Sequence, residues 1–503
     1  MGFRIVLEPR TRRLSNNSAL LGGRPRRLVR LSPAGVGQLD RLLAEGVQSP
    51  AQSALARRLL DAGLASPCPS PVSPAGRVVV VVPARDRVEL LDRCLAQLTD
   101  PVPVLVVDDG SRDPAALAAA VRRHHATLEV RPRSGGPAAA RNHGVAAIPR
   151  HFPPGAEVVA FLDSDCEAPP GWLAALLGHF SDPTVVAVAP HVKARVAGAT
   201  AGLAARFSAA HSPLDLGDVA GDVRPDGAVS YLPAAALLVR RSALEAVGGF
   251  DEQLPTGEDV DLVWRLHDAG GRVRFDPRVV IRHCEPEAWG RLLTRRFRYG
   301  RSAGPLDRRH PGRLSHLHAQ PASLAVVGFL LARRPAPAVA FAAAVAGRLG
   351  LRLRGTGVPQ TESVRATAAG VLDTARSTGR AATQLALPVV LAAATRRRLR
   401  LPLAVLIAAD PLWRWWRLRP GIDPIRWTAA CLADDVAYGA GVWAGCVRSA
   451  TAGPLRPRIS RVPPSEPAAA GERSRRHAQR VMWGARSESS TGSGRARPVE
   501  EVT

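Results

Sequence analysis

The pattern of apolar and polar residues divides the chain into stretches with different periods. Between residues 77 and 313, short apolar runs alternate with stretches of helical spacing. The runs VVVVVP (78–83) and VPVLVVDDGS (102–111) are rich in β-branched residues and end in turns, as strands do. The segment between them repeats apolar residues at the spacing of one helix face: Leu91, Cys94, Leu95 and Leu98. A strand, a helix and a strand within about 30 residues predict a parallel unit with a right-handed crossover.

A third predicted strand, EVVAFLDSD (157–165), also ends in acidic residues. In open α/β sheets the ligand lies beyond the carboxyl ends of the strands. We therefore expect one rim to carry Asp86, Asp108, Asp109, Asp163 and Asp165. Because like charges repel, such a cluster persists at neutral pH only with a cation or hydrogen-bond donors among the carboxylates. The Asp-Ser-Asp triplet fits a Mg or Mn site, and by itself it also fits an ordinary turn.

Residues 1–65 predict a small domain made of a hairpin and two helices. The apolar stretches FRIVL and ALLGG are separated by SNNS, which favours a β-hairpin. The two helices are indicated by a Ser-Pro start, by a closing Gly63 and by the spacing of Leu39, Leu42, Leu43, Leu55, Leu59 and Leu60. Residues 66–76 (SPCPSPVSPAG) are too rich in proline for a helix or a central strand, so they form a linker.

Residues 314–449 are rich in Ala, Leu and Arg and predict a helical region. Its strongly apolar segments are shorter than the roughly 20 residues that cross a bilayer. These segments are bordered by arginines: Arg333, Arg334, Arg348, Arg396 and Arg397. Such flanks favour buried or interfacial helices and hence a peripheral contact with the membrane, although a fully soluble or a spanning region stays open. Residues 450–503 contain few apolar residues, which predicts a disordered tail.

Composition mainly excludes classes of protein. The chain has 68 Lys+Arg against 43 Asp+Glu, a net charge of +25, and Lys193 is its only lysine. The basic residues are dispersed and no nucleic-acid-binding motif accompanies them, so nucleic acid is not an expected partner. Six separated cysteines and an N-terminus without an apolar secretion signal indicate reduced thiols in a cytoplasmic protein, with contact at the inner membrane face left open.

Six motifs then appear in one order along residues 78–283: PARDR, LVVDDGS, GGPAAARNHGVA, FLDSD, LPAAALLVRRSALEAVGGFDE and GEDVDLVWRLHDAGGRV. In order and spacing they resemble family-two glycosyltransferases of the GT-A fold. The resemblance implies an α/β catalytic domain with a Rossmann-like mixed sheet over residues 77–313. A small winged-helix-like domain would precede this GT-A domain, and the helical region would follow it.

The resemblance also implies roles for the residues of the rim. Pro83, Arg85 and Asp86 would edge the nucleotide pocket, and Asp109 would hydrogen-bond the uracil. The remaining contacts with the nucleotide-sugar would come from the start of a helix and from the acidic triplet: Arg141, Asn142, Asp163 and Asp165. A phosphate site at a helix N-terminus suits Arg141 physically, since the positive end of the helix dipole favours anions. Asp163 would contact ribose and Asp165 the metal.

The segment GEDVDLVWRL places Glu258, Asp259 and Asp261 in the first turn of a predicted helix. Acidic residues favour this position for the helix dipole alone. The resemblance adds that Asp259 is the general base, which removes the proton of the acceptor hydroxyl as the new bond forms. A single displacement inverts the anomeric carbon, so a UDP-α-sugar would give a β-linkage.

Val279–His283 predicts another strand, and His283 at its end would complete the metal site with Asp165. A histidine at the end of a strand has a structural role about as often as it is a metal ligand. Beyond it, the basic cluster WGRLLTRRFRYGRS carries Arg295, Arg296 and Arg298, which with Glu258 would face the diphosphate and the acceptor. A solvated basic helix is the alternative, and the Gln-x-x-Arg-Trp element of processive synthases is not present.

The whole layout, from residue 2 to about residue 446, resembles the glycosyltransferases of the mycofactocin system. That resemblance implies transfer of glucose from UDP-glucose to a peptide-derived redox cofactor precursor, in β-1,4-linked units. The N-terminal domain would bind the acceptor or only cover the catalytic sheet. Two alternatives stay open: a cell-envelope polysaccharide or glycolipid glycosyltransferase at the inner membrane face, and a nucleotide-sugar-binding scaffold without catalysis. The sugar, the chain length and the oligomeric state are not determined by the sequence.

Overall fold

The N-terminal segment forms two small sheets and two helices. The computed structural model describes residues 4–14, 17–23, 27–195, 198, 201–225, 227–355 and 358–459. The first elements are β1 (Arg4–Leu7), β2 (Arg12–Leu14), β3 (Ala19–Gly22), β4 (Arg27–Arg30), α1 (Pro33–Glu45), α2 (Pro50–Asp61) and β5 (Ala65–Cys68). β2, β3 and β4 pair in that order, and β1 pairs with β5. The two predicted helices are confirmed, and each begins at a serine whose side chain caps it, Ser32 and Ser49.

The predicted pairing of FRIVL with ALLGG is wrong, because β1 pairs antiparallel with β5 instead. The chain leaves β1 at Glu8, whose backbone N–H donates to the carbonyl of Leu64 at 2.9 Å. The hydroxyl of Thr11 donates to the same carbonyl at 2.8 Å. These bonds tie the end of β1 to the segment after α2, so ALLG pairs with β2 and β4. Ser15 and Asn16 of the SNNS turn lie outside the described residues.

A mixed sheet forms the centre of the fold, and helices cover both of its faces. Its region comprises β6 (Val78–Ala84), α3 (Val88–Gln97), β7 (Val104–Asp109), α4 (Pro114–Arg123), β8 (Thr127–Arg131), α5 (Pro137–His151), β9 (Val158–Leu162), β10 (Cys166–Glu167), α6 (Trp172–Leu177), β11 (Val185–Ala194), α7 (Leu203–Ala210), β12 (Gly221–Asp222), β13 (Ala236–Arg240), α8 (Arg241–Ala246), α9 (Glu258–Asp268) and β14 (Arg272–His283). Among the described residues the strand order is β10-β14-β11-β13-β9-β6-β7-β8, and β12 pairs with β14.

The strand directions confirm the predicted crossover units. β6 is parallel to β7 and to β9, and β7 is parallel to β8. β13 runs antiparallel between β9 and β11, which makes the sheet mixed. Alternate residues of β6 face the two covered sides: Val79 and Val81 belong to one buried cluster, and Val78, Val80 and Val82 to the other. Burial on both faces explains why this strand is an unbroken valine run.

A helical region follows the sheet. Its elements are α10 (Trp289–Arg301), α11 (Ala303–Arg309), β15 (His318–Ala319), α12 (Pro321–Leu331), α13 (Pro335–Arg352), α14 (Gln360–Leu385), α15 (Leu387–Ala394), α16 (Arg397–Leu418), α17 (Pro424–Arg448) and β16 (Arg458–Ile459). α10 and α17 approach closely, because Gly300 faces the carbonyl of Tyr438 and Gly441 faces the carbonyl of Phe297 with no side chain between the backbones. No helix within the described ranges is long and apolar enough to cross a bilayer.

The predicted disordered tail begins too early at residue 450. A short turn at Gly453–Leu455 follows α17, and β16 pairs with β15 in parallel. The hydroxyl of Thr451 donates to Asp307 at 2.6 Å, which anchors this segment to α11. Residues 450–459 have few apolar side chains, and they are held instead by the pairing of β16 with β15 and by the buried carboxylate of Asp307. Residues 460–503 lie outside the described residues.

The N-terminal unit is attached to the sheet and to the helical region by ion pairs. Asp61, at the end of α2, lies 2.8 Å from the Nη2 atom of Arg272 and 3.4 Å from that of Arg224. Arg12 lies 2.6 Å from Glu362 of α14. The unit therefore contacts both of the larger regions of the chain.

Candidate active site

Asp109 ends β7 at the predicted rim, and its carboxylate is surrounded by donors from one loop. The Oδ2 atom accepts from the Ser134 hydroxyl at 2.7 Å and from the Gly136 N–H at 2.8 Å. The Oδ1 atom accepts from the Gly135 N–H at 3.0 Å and from Arg131. This buried aspartate thus orders the loop that leads into α5. Asp109, the predicted partner of uracil, thus accepts hydrogen bonds from the protein at both carboxylate oxygens.

The loop after β6 is fixed beside this one. Asp86 has a positive φ of 56°; its N–H donates to the Ser111 hydroxyl, and its carboxylate accepts from the Arg112 N–H, both at 2.8 Å. Arg85 donates to the Ser134 hydroxyl at 2.9 Å, and Pro83 lies within β6 itself. The predicted nucleotide-edge residues are therefore brought together at one end of the sheet.

Arg141 joins two acidic residues that are far apart in the sequence. Its guanidinium donates to Asp163 at 2.7 Å and to Glu258 at 2.9 Å, and the residue is only 3% exposed. Burial works against the charged form of Arg141, yet these two carboxylates raise its pKa. Burial likewise raises the pKa of Asp163 in spite of the guanidinium. The end of β9 and the start of α9 are thus held by one cation.

Asn142, the neighbour of Arg141, is engaged by the chain rather than directed into the cavity described below. Its side-chain amide donates to the Phe250 carbonyl at 2.8 Å and accepts from the Phe250 N–H at 2.9 Å. Gly249 has a φ of +72°, and a Cβ there would meet the Asn142 oxygen. Asn142 therefore positions the 248–252 turn, and its predicted contact with the base or diphosphate stays a prediction.

Asp165 and His283 lie side by side at the same edge. The Nε2 atom of His283 is 3.4 Å from the Oδ1 atom of Asp165, and its Nδ1 atom is 3.2 Å from Glu285. Burial alone would lower the pKa of His283, but the two carboxylates raise it to about 10. Asp165 is also 3.4 Å from Arg87, and its own pKa is lowered because His283 and Arg87 outweigh burial. Arg87 was not predicted as a site residue.

Asp259 lies in the first turn of α9 and is half-buried. Its Oδ1 atom accepts from the Val260 N–H at 2.8 Å, and its Oδ2 atom accepts from the Ala234 N–H at 3.3 Å. Burial and the adjacent Glu258 raise the pKa of Asp259 to about 7. α9 begins at Gly257, whose φ is +88° and where a Cβ would crowd Ser302. The start of the helix therefore brings to the cavity a carboxyl group whose pKa lies near 7.

A cavity of about 910 Å³ brings together much of the predicted site. The predicted residues that line it are Arg141, Asp163, Glu258, Asp259, His283, Arg295, Arg296 and Arg298. The helical region also lines this cavity, with Asp373, Arg376, Ser377, Arg380, Gln384, Asp410 and Tyr438. No role was predicted for this wall. The sequence offers one signal for this wall: the polar residues at 373, 376, 377, 380 and 384 have the spacing of one helix face.

The predicted arginines of α10 differ in their surroundings. Arg295 pairs with Glu285 and lies over the ring of Tyr299. Arg296 lies 2.7 Å from Asp434 of α17. Arg298 is exposed and has no ion-pair partner in the part of the chain that the structure describes. The alternative of a merely solvated basic helix does not fit the first two side chains.

The described ranges contain no group of three or more His, Cys, Asp or Glu side chains that could hold a metal ion. The fit of a cation therefore depends on Asp165 and His283 alone. Their facing atoms, 3.4 Å apart, can each lie about 2.1 Å from one divalent ion. As a metal ligand His283 would be neutral and would offer its Nε2 atom to the ion, and the ion would then supply the positive charge that a protonated imidazole supplies beside the two carboxylates.

The mixed sheet and this acidic rim define a glycosyltransferase. The model of the family described as Glycosyl transferase family 2 matches residues 79–248. Over 488 residues the chain is 40% identical to the pre-mycofactocin glycosyltransferase of Mycobacterium tuberculosis, covering 91% of this chain and 98% of that one. The chain therefore belongs to the pre-mycofactocin glycosyltransferases, and the predicted family and fold class are confirmed.

More distant proteins share parts of the chain. A beta-monoglucosyldiacylglycerol synthase of Synechocystis is 29% identical over 205 residues, covering 39% of this chain and 41% of that one. A solved structure of GalNAc-T7 with UDP, GalNAc and Mn²⁺ overlaps 45% of this chain and 47% of that one at 15% identity and a TM-score of 0.33. The family assignment rests on the sequence comparisons.

Proposed function

We propose that the protein transfers glucose from UDP-glucose to the peptide-derived precursor of the mycofactocin redox cofactor and builds a β-1,4-linked chain. Membership of the family supports the pathway. The observation that carries the chemistry is the position of Asp259, which lines the cavity with a pKa of about 7. A general base is most effective when its pKa lies near the working pH.

Asp259 accepts the proton of the acceptor hydroxyl as the hydroxyl oxygen forms a bond to the anomeric carbon. The bond from that carbon to the diphosphate oxygen breaks in the same step, and UDP leaves with the electron pair. The configuration of the carbon inverts, which gives a β-linkage from a UDP-α-sugar. The N–H groups of Val260 and Ala234 fix the two carboxylate oxygens, so the base is oriented before the acceptor binds.

The donor lies along the rim in this proposal. Asp163 and Arg141 are placed for the ribose and the diphosphate, because both line the cavity beside the start of α9. Arg298 supplies a guanidinium that no described carboxylate neutralises, and a guanidinium binds phosphate oxygens with two parallel bonds. Asp165 and His283 would hold Mg²⁺ or Mn²⁺, which stabilises the charge on the departing diphosphate as a Lewis acid.

The experiment is an incubation of the protein with Mn²⁺, UDP-glucose and the tyrosine-derived dipeptide precursor, followed by mass spectrometry. Hexose increments on the precursor are expected, and Asp259→Asn should reduce their rate at least about 100-fold while still binding UDP. An Asp40→Asn variant is the control, because Asp40 lies in α1, is paired with Arg13 and does not line the cavity. Binding of UDP-glucose without transfer to the precursor would favour a lipid or polysaccharide acceptor instead.

We also propose that the helical region touches the inner face of the membrane. Around the junction of α15 and α16, large apolar side chains are exposed: Val389 (68%), Leu391 (62%), Leu401 (65%) and Val405 (60%). Exposed arginines lie between them, at 396, 397, 398 and 400. An apolar surface bordered by guanidiniums is complementary to anionic lipid headgroups. Flotation with phosphatidylglycerol vesicles tests this contact, and Arg397→Glu/Arg398→Glu should abolish it; flotation that is equal with neutral vesicles would contradict it.

A further inference from the structure

One face of α14 forms a polar wall of the cavity that Asp259 also lines. The residues that line it are Asp373, Arg376, Ser377, Arg380 and Gln384. Residues three and four positions apart lie on one face of a helix. This face therefore presents guanidinium, carboxylate, hydroxyl and amide groups over three helical turns.

The two guanidiniums of this wall are held in place from behind. Asp410 of α16 is 4% exposed; its Oδ1 atom lies 2.8 Å from Arg376 and its Oδ2 atom 2.7 Å from Arg380. Arg414 completes the cluster at 2.6 Å from the same carboxylate. The guanidinium of Arg376 also lies 3.6 Å from the centre of the Trp413 ring. Side chains fixed in this way bind a ligand with little loss of conformational entropy.

Each guanidinium of the wall is paired with a carboxylate, which indicates the kind of ligand the wall suits. Arg376 and Arg380 share Asp410, and Arg376 has a second partner in Asp373 at 3.6 Å. Arg296, on the neighbouring helix, is paired with Asp434. A pocket for a second anion would leave guanidiniums without carboxylates. Here N–H donors and carboxylate acceptors line the same cavity, which matches hydroxyl groups, because each hydroxyl donates one hydrogen bond and accepts two.

We propose that this face of α14 binds the sugar residues already present on the acceptor, so that the enzyme extends a glucosylated precursor. The proposal rests on the proposed function and specifies its acceptor. Asp259, Arg376 and Arg380 all line one continuous cavity. The terminal hydroxyl of a short glucan then meets the base while the preceding glucose units lie along α14. Its volume of about 910 Å³ is at the upper end of the range of small-molecule sites.

The test uses methyl β-cellobioside as the probe, with its binding to the full-length protein in the presence of UDP measured by ligand-observed NMR. Arg380→Ala should weaken this binding roughly 10- to 100-fold, the loss expected for charged hydrogen bonds. The dissociation constant of UDP should stay within about twofold of the wild-type value. Arg365→Ala is the matched control, since Arg365 lies on the same helix, is 68% exposed and pairs with Glu362 outside the cavity.

A second variant distinguishes a loss of sugar binding from a folding defect caused by Arg380→Ala. Ser377→Leu keeps every ion pair of the wall and places an apolar side chain in the cavity, so it should weaken binding of the cellobioside in the same way. Thermal unfolding of all variants is compared with that of the wild type. Unchanged cellobioside binding in both cavity variants would overturn the proposal, and an equal loss of UDP binding would show that the wall holds the diphosphate instead.

The outcome is separable from that of the proposed function. Wild-type protein that binds the cellobioside but transfers no hexose from UDP-glucose would refute the proposed donor and keep the sugar-binding wall. Wild-type protein that glucosylates the precursor once but neither binds nor extends a glucoside would refute the wall and keep the proposed function. In the expected case, Arg380→Ala lowers the ratio of second to first transfer at least about tenfold.

Discussion

The Nη2 atom of Arg141 lies 2.7 Å from the Oδ1 atom of Asp163, and the other terminal nitrogen of the same guanidinium holds Glu258. This buried cation therefore links the end of β9 to the helix that carries Asp259. Its charge also acts on the base: Arg141 lowers the pKa of Asp259, whereas burial and Glu258 raise it. The geometry of the rim and the protonation of the proposed base consequently depend on one side chain.

Replacing Arg141 by methionine should destabilise the fold by about 3 kcal/mol, because the buried Glu258 and the partly buried Asp163 would lose their cation. The midpoint of urea unfolding measures this loss. Arg133→Ala is the control, since Arg133 is exposed in the loop before α5 and its removal should change stability by less than about 0.5 kcal/mol. Equal midpoints for the two variants would refute the role of Arg141 as a buried clamp.

The dependence of kcat/KM on pH should show a limb near pH 7. Asp259 must be ionised to accept a proton, and its pKa is raised to about 7, so activity falls as the pH drops through that value. The residual activity of Asp259→Asn should lack this limb. A limb near pH 4, the ordinary value for aspartate, would show that Asp259 is not the base.

The same shift has a consequence for stability. The pKa of Asp259 is higher in the folded protein than in the unfolded chain, so its contribution to stability is full below about pH 4 and is lost as the pH rises toward 7. Asp259→Asn, which carries no charge, should therefore melt at the same or a higher temperature than the wild type at pH 8. A lower melting temperature would mean that the ionised carboxylate stabilises the helix start.

The sequence predicted the strands of the sheet well because their burial on both faces leaves a strong local pattern, as in Val78–Val82. It also located Asp163, Asp165, Asp259 and His283, which lie at strand ends or at a helix start. Such positions can be inferred from short motifs, since the topology of a parallel sheet brings strand ends together.

Three features depended on distant contacts and were not predictable. β1 pairs with a strand some 60 residues away, which no local pattern records. Asn142 adjoins Arg141 in the sequence, yet its amide is bonded to the backbone of Phe250, whereas Arg141 reaches the cavity. The wall formed by α14 was missed for the same reason: its spacing is visible in the sequence, but only the tertiary packing shows that it faces Asp259.

Removal of divalent cations should abolish transfer, and Mn²⁺ should restore it. Asp165 and His283 are the two side chains whose facing atoms can share an ion. Asp165→Asn should therefore raise the Mn²⁺ concentration for half-maximal activity at least about tenfold. Asp182→Asn is the control, because the carboxylate of Asp182 accepts from the N–H and the hydroxyl of Thr184 and does not line the cavity. Full activity in the presence of a chelator would exclude the metal site.

Two glycines of α10 allow a direct test of how the helical region is joined to the catalytic domain. Gly300 faces the carbonyl of Tyr438 on α17, so Gly300→Ala should force the helices apart and cost about 1–3 kcal/mol. Gly290 lies in the same helix, and a methyl group added there would have open space around it. Gly290→Ala should instead add roughly 0.5–1 kcal/mol of stability through helix propensity.

Because the two substitutions should change the free energy of unfolding in opposite directions, they separate the effect of helix packing from that of helix propensity. Gly300→Ala should also raise KM for the acceptor, because α10 and α17 together place Arg296 and Tyr438 at the cavity. Chemical denaturation and steady-state kinetics on both variants measure the two effects. If Gly300→Ala were as stable as Gly290→Ala, α10 and α17 would not be in the close contact that brings the helical region to the active site.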